Sequence, residues 1–194
     1  MVRWFSLVCL LSCLSGCGYG DFQRHDAYVE SKWADVLKQY QCRSDLVPHI
    51  VAVVKGQSNF EPSVLTRVID ARSLVLTAAA TSSLLDHPQA FTQFQKAQTE
   101  LSNALSQLFT IAQRYPHLKS DPTFESMHRT LLGVEQLIQA SHHAYIHAAQ
   151  GYNTLARSFP SNITGLFLGY KSKPHLHINH EASGPTMAAA ALPG

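Results

Sequence analysis

Charge is scarce in this chain: 14% of its 194 residues are Asp, Glu, Lys or Arg, and the formal net charge is +2. The basic residues are scattered and form no stripe with interleaved aromatics, which removes the usual footprint of a nucleic-acid-binding protein. Glycine and proline are also few, 10 and 9, and apart from Pro48 the prolines stand between periodic segments rather than inside them. That distribution reads as helices joined by short connections. There is no alternation of strand and helix patterns and no hairpin pair. A Ser-His-Asp order, a Gly-rich phosphate loop and a paired-carboxylate motif are likewise missing. Catalytic, cofactor-binding and metal-ligating residues are therefore left unassigned, no cofactor is expected, and the chain is read as a non-enzyme.

Long apolar runs are the next absence. The longest runs from Trp4 to Leu14 behind Arg3, too short for the roughly 20 residues that cross a bilayer but suited to the core of a signal peptide. It closes on Leu14-Ser15-Gly16-Cys17, the lipobox pattern of a bacterial lipoprotein. Residues 1–16 are expected to be a lipoprotein signal peptide and Cys17 the lipidated residue. Three acyl chains on that cysteine hold far more firmly than one, since each buried CH₂ contributes about 0.8 kcal/mol. The next residue is Gly18 rather than Asp, which in a two-membrane cell favours the outer membrane. The expected location is thus the cell envelope, facing the periplasm or the cell exterior, with the membrane as first partner.

Cysteine then becomes scarce as well. Cys9 and Cys13 leave with the signal peptide and Cys17 is acylated, so Cys42 alone remains. One thiol makes no internal disulfide, and the folded part must be held by packing. Cys42 is expected to be a small buried or half-buried side chain.

What the chain does have is apolar spacing in steps of three and four, the period of helices packed along their length. Val29, Trp33, Val36, Tyr40, Val47, Ile50 and Val54 form one stripe, with Arg43 at a seam position and Pro48 inside the run. Residues 56–62 are the first break. A second helix carries Val64, Leu65, Val68, Ile69, Arg72, Val75 and Leu76 and fades near Leu85. Asp86-His87-Pro88 reads as a capped start for a third, with Phe91, Phe94, Gln98, Leu101, Leu105, Leu108, Ala112 and Tyr115. Ser120-Asp121-Pro122 repeats that chemistry before the most regular stripe, from Phe124, Met127 and Leu131 through Val134, Ile138, Ser141, Tyr145, Ala148, Tyr152 and Leu155 to Phe159. The span from Thr123 to Phe159 would be about 55 Å long. The expectation is an all-α fold, an elongated antiparallel four-helix bundle with long helices preceded by the signal peptide. The bundle domain is placed at residues 17–180 and a disordered C-terminal tail at 181–194; Ile163–Tyr170 is expected to fold back, and His175–Ile178 has a short strand-like alternation.

These segments resemble the LemA family. The resemblance is carried by Trp33–Leu37, Ser44–Gly56, Val68–Arg72, Leu105–Leu108, Tyr115–Lys119, Phe124, Glu135, Tyr145, Tyr152-Asn153 and Ser158–Asn162, in order across four helices. It implies an envelope protein built as an elongated antiparallel four-helix bundle, without a generally established reaction. Gly16-Cys17-Gly18-Tyr19 is similar to the lipoprotein branch, whose relatives begin with a spanning helix instead. The chain departs from the family pattern at Cys42-Arg43, where a pair of Arg is usual, and at His49, where Asn is usual. His142 and His143 stand where the family is rich in Arg, and Ile146 where it has Asn. Histidine does not reproduce the bidentate contacts of Arg.

Two constellations remain. His143 and His147 lie four apart, a spacing that suits two imidazoles on one zinc, with His142 beside His143 and His175, His177 and His180 crowding the tail. Ala144 stands where a catalytic His-Glu-x-x-His motif has Glu, so the histidines are read as exposed polar residues on a solvated face, and a pH-sensitive surface is favoured over a metal site. Arg43, Arg72, Glu135 and Asp45 sit at or beside core-facing positions, and Glu135 is expected to pair with Arg43 or Arg72 as a register-fixing ion pair. The function expected is a membrane-tethered interaction or scaffolding protein with a protein partner in the envelope. The alternative is a metal- or small-ligand-binding module using the His-rich fourth helix and tail.

Overall fold

A computed structural model of the chain describes residues 19–56, 60–81, 83–159, 162–163, 169 and 171–176. The lipobox, Cys17, residues 181–194 and the His177-Ile178 part of the strand-like alternation lie outside them, as does most of Ile163–Tyr170. Among the described residues there is no strand, and five α-helices follow one another: α1 Tyr19–Lys55, α2 Pro62–Ala79, α3 Pro88–Ala112, the single turn α4 Pro116–Lys119, and α5 Pro122–Arg157. No helix among them is long and apolar enough to cross a membrane.

The breaks have identifiable causes. Prolines open four of the helices at their first positions, where a missing N–H costs no helical bond. Before α5 the cap is the expected one: the Asp121 carboxylate accepts from the N–H groups of Thr123, at 2.8 Å, and Phe124. Before α3 it is not. His87 takes the extended conformation that Pro88 imposes on its predecessor and makes no side-chain cap, while Asp86 ends a 3₁₀ turn, Leu84–Asp86. That turn explains why α2 stops at Ala79 instead of fading near Leu85. Ser83 enters it with φ of 56°, a left-handed conformation, and the turn buries the adjacent Leu84 and Leu85. Similarly, α3 ends before Tyr115, and α4 exists to bury Leu118.

The described residues divide into two compact units: one of residues up to 39 with those of 137–176, and one of residues 40–136. The second unit holds a continuous apolar cluster from Val47 to Leu131. In it α1 contributes Ile50 and Val54, α2 Val64, Val68, Ala71 and Val75, α3 Leu101, Leu105 and Leu108, and α5 Phe124 and Leu131. Each fully buried Leu among them contributes about 1.5–3 kcal/mol. α2 and α3 pack along each other. In the first unit Phe22, Val29, Trp33 and Val36 of α1 and Ile138, Tyr145, Ala148 and Tyr152 of α5 are buried. Trp33 meets Tyr145 with ring centroids 5.3 Å apart, and Phe22 meets Tyr152 edge-on at 5.9 Å.

Every apolar member of the α1 stripe is buried, but the second stripe is narrower than its composition predicts. Ile69 is 51% and Leu76 48% exposed. Phe159, taken as the last core residue of the final stripe, is 77% exposed, because α5 has already ended at Arg157. Cys42 is exposed rather than buried: it is one position off the seam that Arg43 occupies, and a helix turns about 100° per residue.

Candidate functional site

The buried polar groups gather at two places, one in each unit. In the second unit the centre is Arg43. Its guanidinium Nη1 donates to Glu135 Oε1 at 2.9 Å and to Ser102 Oγ, and Nη2 donates to the Gln98 side-chain oxygen at 2.6 Å and to the Gln98 carbonyl at 3.1 Å. The Tyr40 ring lies below it, 5.1 Å from ring centroid to guanidinium carbon, and Nε finds no acceptor. The side chain is almost wholly enclosed, whereas Glu135 is 33% exposed. Three helices, α1, α3 and α5, are joined through one planar, permanently charged group. The expected pairing of Glu135 is therefore with Arg43. Of the neighbours Cys42 and Arg43, it is Arg43 that points inward.

Arg72 does something else. Its Nε donates to the backbone carbonyl of Ser44 at 2.9 Å. Ser44 is four residues before Pro48, and proline has no N–H with which to close that helical bond. Arg72 of α2 thus supplies, across the helix interface, the donor that α1 lacks, and α1 continues through Pro48 to Lys55. Asp45 is exposed and lies outside this network.

Burial pushes the Tyr40 hydroxyl from 10.0 up to about 12, with smaller opposing contributions from Arg43, which lowers it, and Glu135, which raises it. Below pH 10 this costs nothing. Between pH 10 and about 12 the unfolded chain loses a proton that the folded chain keeps, so stability falls as pH rises. Tyr40→Phe is expected to remove about 1.4 kcal/mol per pH unit from that slope, read by urea unfolding across the alkaline range. Equal slopes in the two chains would refute it.

The second place is in the first unit, where residues 171–176 lie in non-helical conformation against α1 and α5. Asn153 of α5 clamps the Lys173 backbone from both sides: its Oδ1 accepts from the Lys173 N–H at 2.9 Å and its Nδ2 donates to the Lys173 carbonyl at 3.1 Å. The Tyr145 hydroxyl donates to the next carbonyl, that of Pro174, at 2.9 Å. The Lys173 amine reaches Asp26 Oδ1 at 2.7 Å and Glu30 Oε1 at 3.3 Å, above the Tyr152 ring at 5.4 Å. Burial alone would lower the amine's pKa; the hydrogen bond and charge of Asp26, with those of Glu30, outweigh it and leave the pKa above the ordinary lysine value. Leu176 is buried beyond it.

The histidines do not converge. His143 and His147 are exposed on α5, and His175 is exposed on the tail segment. His142, expected on the solvated face, is buried instead; the four-residue steps of the core stripe pass through Ile138, so 142 falls beside Tyr145 on the inner side. His177 and His180 lie outside the described residues. Among those described, no three His, Cys, Asp or Glu side chains are placed to hold a metal ion.

The LemA family model matches residues 32–188, a range that takes in Arg43, Arg72, Glu135, Tyr145, Asn153 and Lys173. The chain belongs to the LemA family. A search of curated proteins finds no match for this LemA-family chain. Sequence reasoning reached Arg43 and Glu135 by their seam positions. It passed over Lys173, Asp26 and Glu30, which carry no helical pattern linking them, although the buried polar Asn153 beside Tyr152 was a usable signal.

Proposed function

We propose that this LemA-family protein is a lipid-anchored interaction or scaffolding protein of the bacterial envelope, attached through Cys17, with α1, α2, α3 and α5 forming an antiparallel four-helix bundle. The observation that carries the proposal is Leu14-Ser15-Gly16-Cys17 behind a short apolar run, a pattern that needs a small residue and Gly immediately before the acylated cysteine. Family membership supports the envelope setting. A non-catalytic role is supported by how the interior polar groups are used: Nη1 and Nη2 of Arg43 and Nε of Arg72 donate to side chains and carbonyls of neighbouring helices, which holds helices together.

The test is expression of the full chain and its Cys17→Ser variant in a bacterial host fed a palmitate analogue. The wild type is expected to take up the label and to begin, by mass, at an acylated Cys17. The variant is expected to take up none and to retain residues 1–16. An unlabelled wild type, or a labelled variant, would overturn the anchor. Crosslinking of the anchored chain in its own membrane is expected to recover a reproducible protein neighbour; recovery of none would count against the interaction role.

A further inference from the structure

We infer that the cleft formed by Asp26, Glu30, Tyr145, Tyr152 and Asn153 is a binding site for an extended, lysine-bearing peptide, and that residues 171–176 are its resident occupant in cis.

The contacts are those of peptide recognition. One carboxamide reads both main-chain groups of a single residue, which demands an extended backbone at that point and is indifferent to side chain. A hydroxyl reads the following carbonyl. Side-chain selection is separate from both: two carboxylates and an aromatic face surround one amine, a combination suited to a primary ammonium and poorly satisfied by a neutral side chain. Pro174 adds conformational definition, since the residue before a proline is held extended and a proline has no N–H left to satisfy. Leu176 ends the segment in an apolar position.

The segment buries one apolar side chain, Leu176. Here the anchoring residue is a lysine left only 9% exposed, and an amine removed from water is tolerated only where opposing charge and hydrogen bonds replace its hydration. The cleft therefore specifies a lysine held in extended backbone, with an apolar residue three positions further on. The same specification admits a lysine-bearing segment of another polypeptide whenever the resident one is displaced. Because the occupant is tethered, its effective concentration is of millimolar order, so the resting chain is largely closed to competitors.

The probe is a fluorescent hexapeptide with the sequence of Lys171–Leu176, titrated against the full chain and its Lys173→Ala variant by fluorescence anisotropy. The variant is expected to bind the peptide at least about tenfold more tightly than the wild type, since its own segment competes less well. Norleucine at the peptide's central lysine is expected to weaken binding at least about tenfold to either chain, and Asn153→Ala in the variant to abolish it. Equal affinity of the two chains, or indifference to norleucine, overturns the proposal. If the variant fails to fold, as its helical circular dichroism will show, titration of the wild type to millimolar peptide decides by itself: lysine-dependent saturation supports the site and none overturns it.

Discussion

Arg43→Ala is expected to lower the unfolding free energy by roughly 3–5 kcal/mol, measured by urea denaturation at neutral pH. The guanidinium donates to Glu135, Gln98 and Ser102 at once, and truncation strips all three of that donor, with Gln98 buried and Glu135 and Ser102 half-buried. The buried charge itself is not the stabilising element. Removing an ion from water costs several kcal/mol, and the pair returns that only through its geometry. Two further variants separate these contributions. Glu135→Gln keeps an oxygen at the acceptor position but loses its charge, and is expected to cost about 1–2 kcal/mol. Combining Arg43→Met with Glu135→Leu is expected to recover part of the loss, because it removes both charges of the pair and leaves only Gln98 and Ser102 without their donor. A loss of under about 1 kcal/mol for Arg43→Ala, or unchanged stability in Glu135→Gln, would show that the network is not what holds α1, α3 and α5 in register.

The second large effect joins two residues distant in sequence. Arg72→Ala leaves the Ser44 carbonyl, in a buried residue, with neither its helical donor nor the one borrowed from α2. The expected cost is about 1–3 kcal/mol, the penalty of an unmade bond at a buried polar group. Pro48→Ala restores an N–H to the helix at the position that reaches Ser44, so it is expected to rescue most of that loss. In an otherwise wild-type chain the same change gives the carbonyl a donor it already has. The signature is therefore non-additivity: a double-mutant cycle with coupling of about 1 kcal/mol or more between positions 48 and 72. Additive effects would mean that Arg72 acts through packing of its stem alone.

Periodicity in the chain proved sufficient for the helices and for which face of α1 turns inward, since Val29, Trp33, Val36, Tyr40, Val47, Ile50 and Val54 are all buried. The reason is that α1 is covered along its seam by other helices, so a three-and-four stripe and a buried stripe coincide. On α2 they separate. Its buried line is Val64, Val68, Ala71 and Val75, a seam one side chain wide, and Ile69 and Leu76 fall beside it. Apolar character identifies what a helix is able to bury, not how wide a surface the neighbours offer. The same limit explains the misplaced side chains. Cys42 and His142 each lie within a residue of a seam position and Asp45 within two, and each step rotates a side chain by about 100°.

The candidate sites divide in the same way. Arg43 and Glu135 were legible because each interrupts an apolar stripe, and a charge in a seam needs a counter-charge. Arg72 was visible as a seam residue, but its partner was not, because a backbone carbonyl orphaned by Pro48 leaves no mark on side-chain patterns. Lys173 was invisible: it follows the last helix and is brought to Asp26 and Glu30 only by the return of the chain, across a sequence separation of about 145 residues.

By itself, then, the amino-acid sequence determined the all-helical class and the positions of the long helices, which follow from local chemistry, three-and-four spacing and prolines at helix starts, and its matching segments pointed to the family. Only the tertiary structure decided which polar groups meet. Arg43 meets three partners, Arg72 closes a bond for Pro48, and Lys173 fills a cleft. Those pairings depend on distances between segments far apart in the chain, and no local periodicity encodes such a distance.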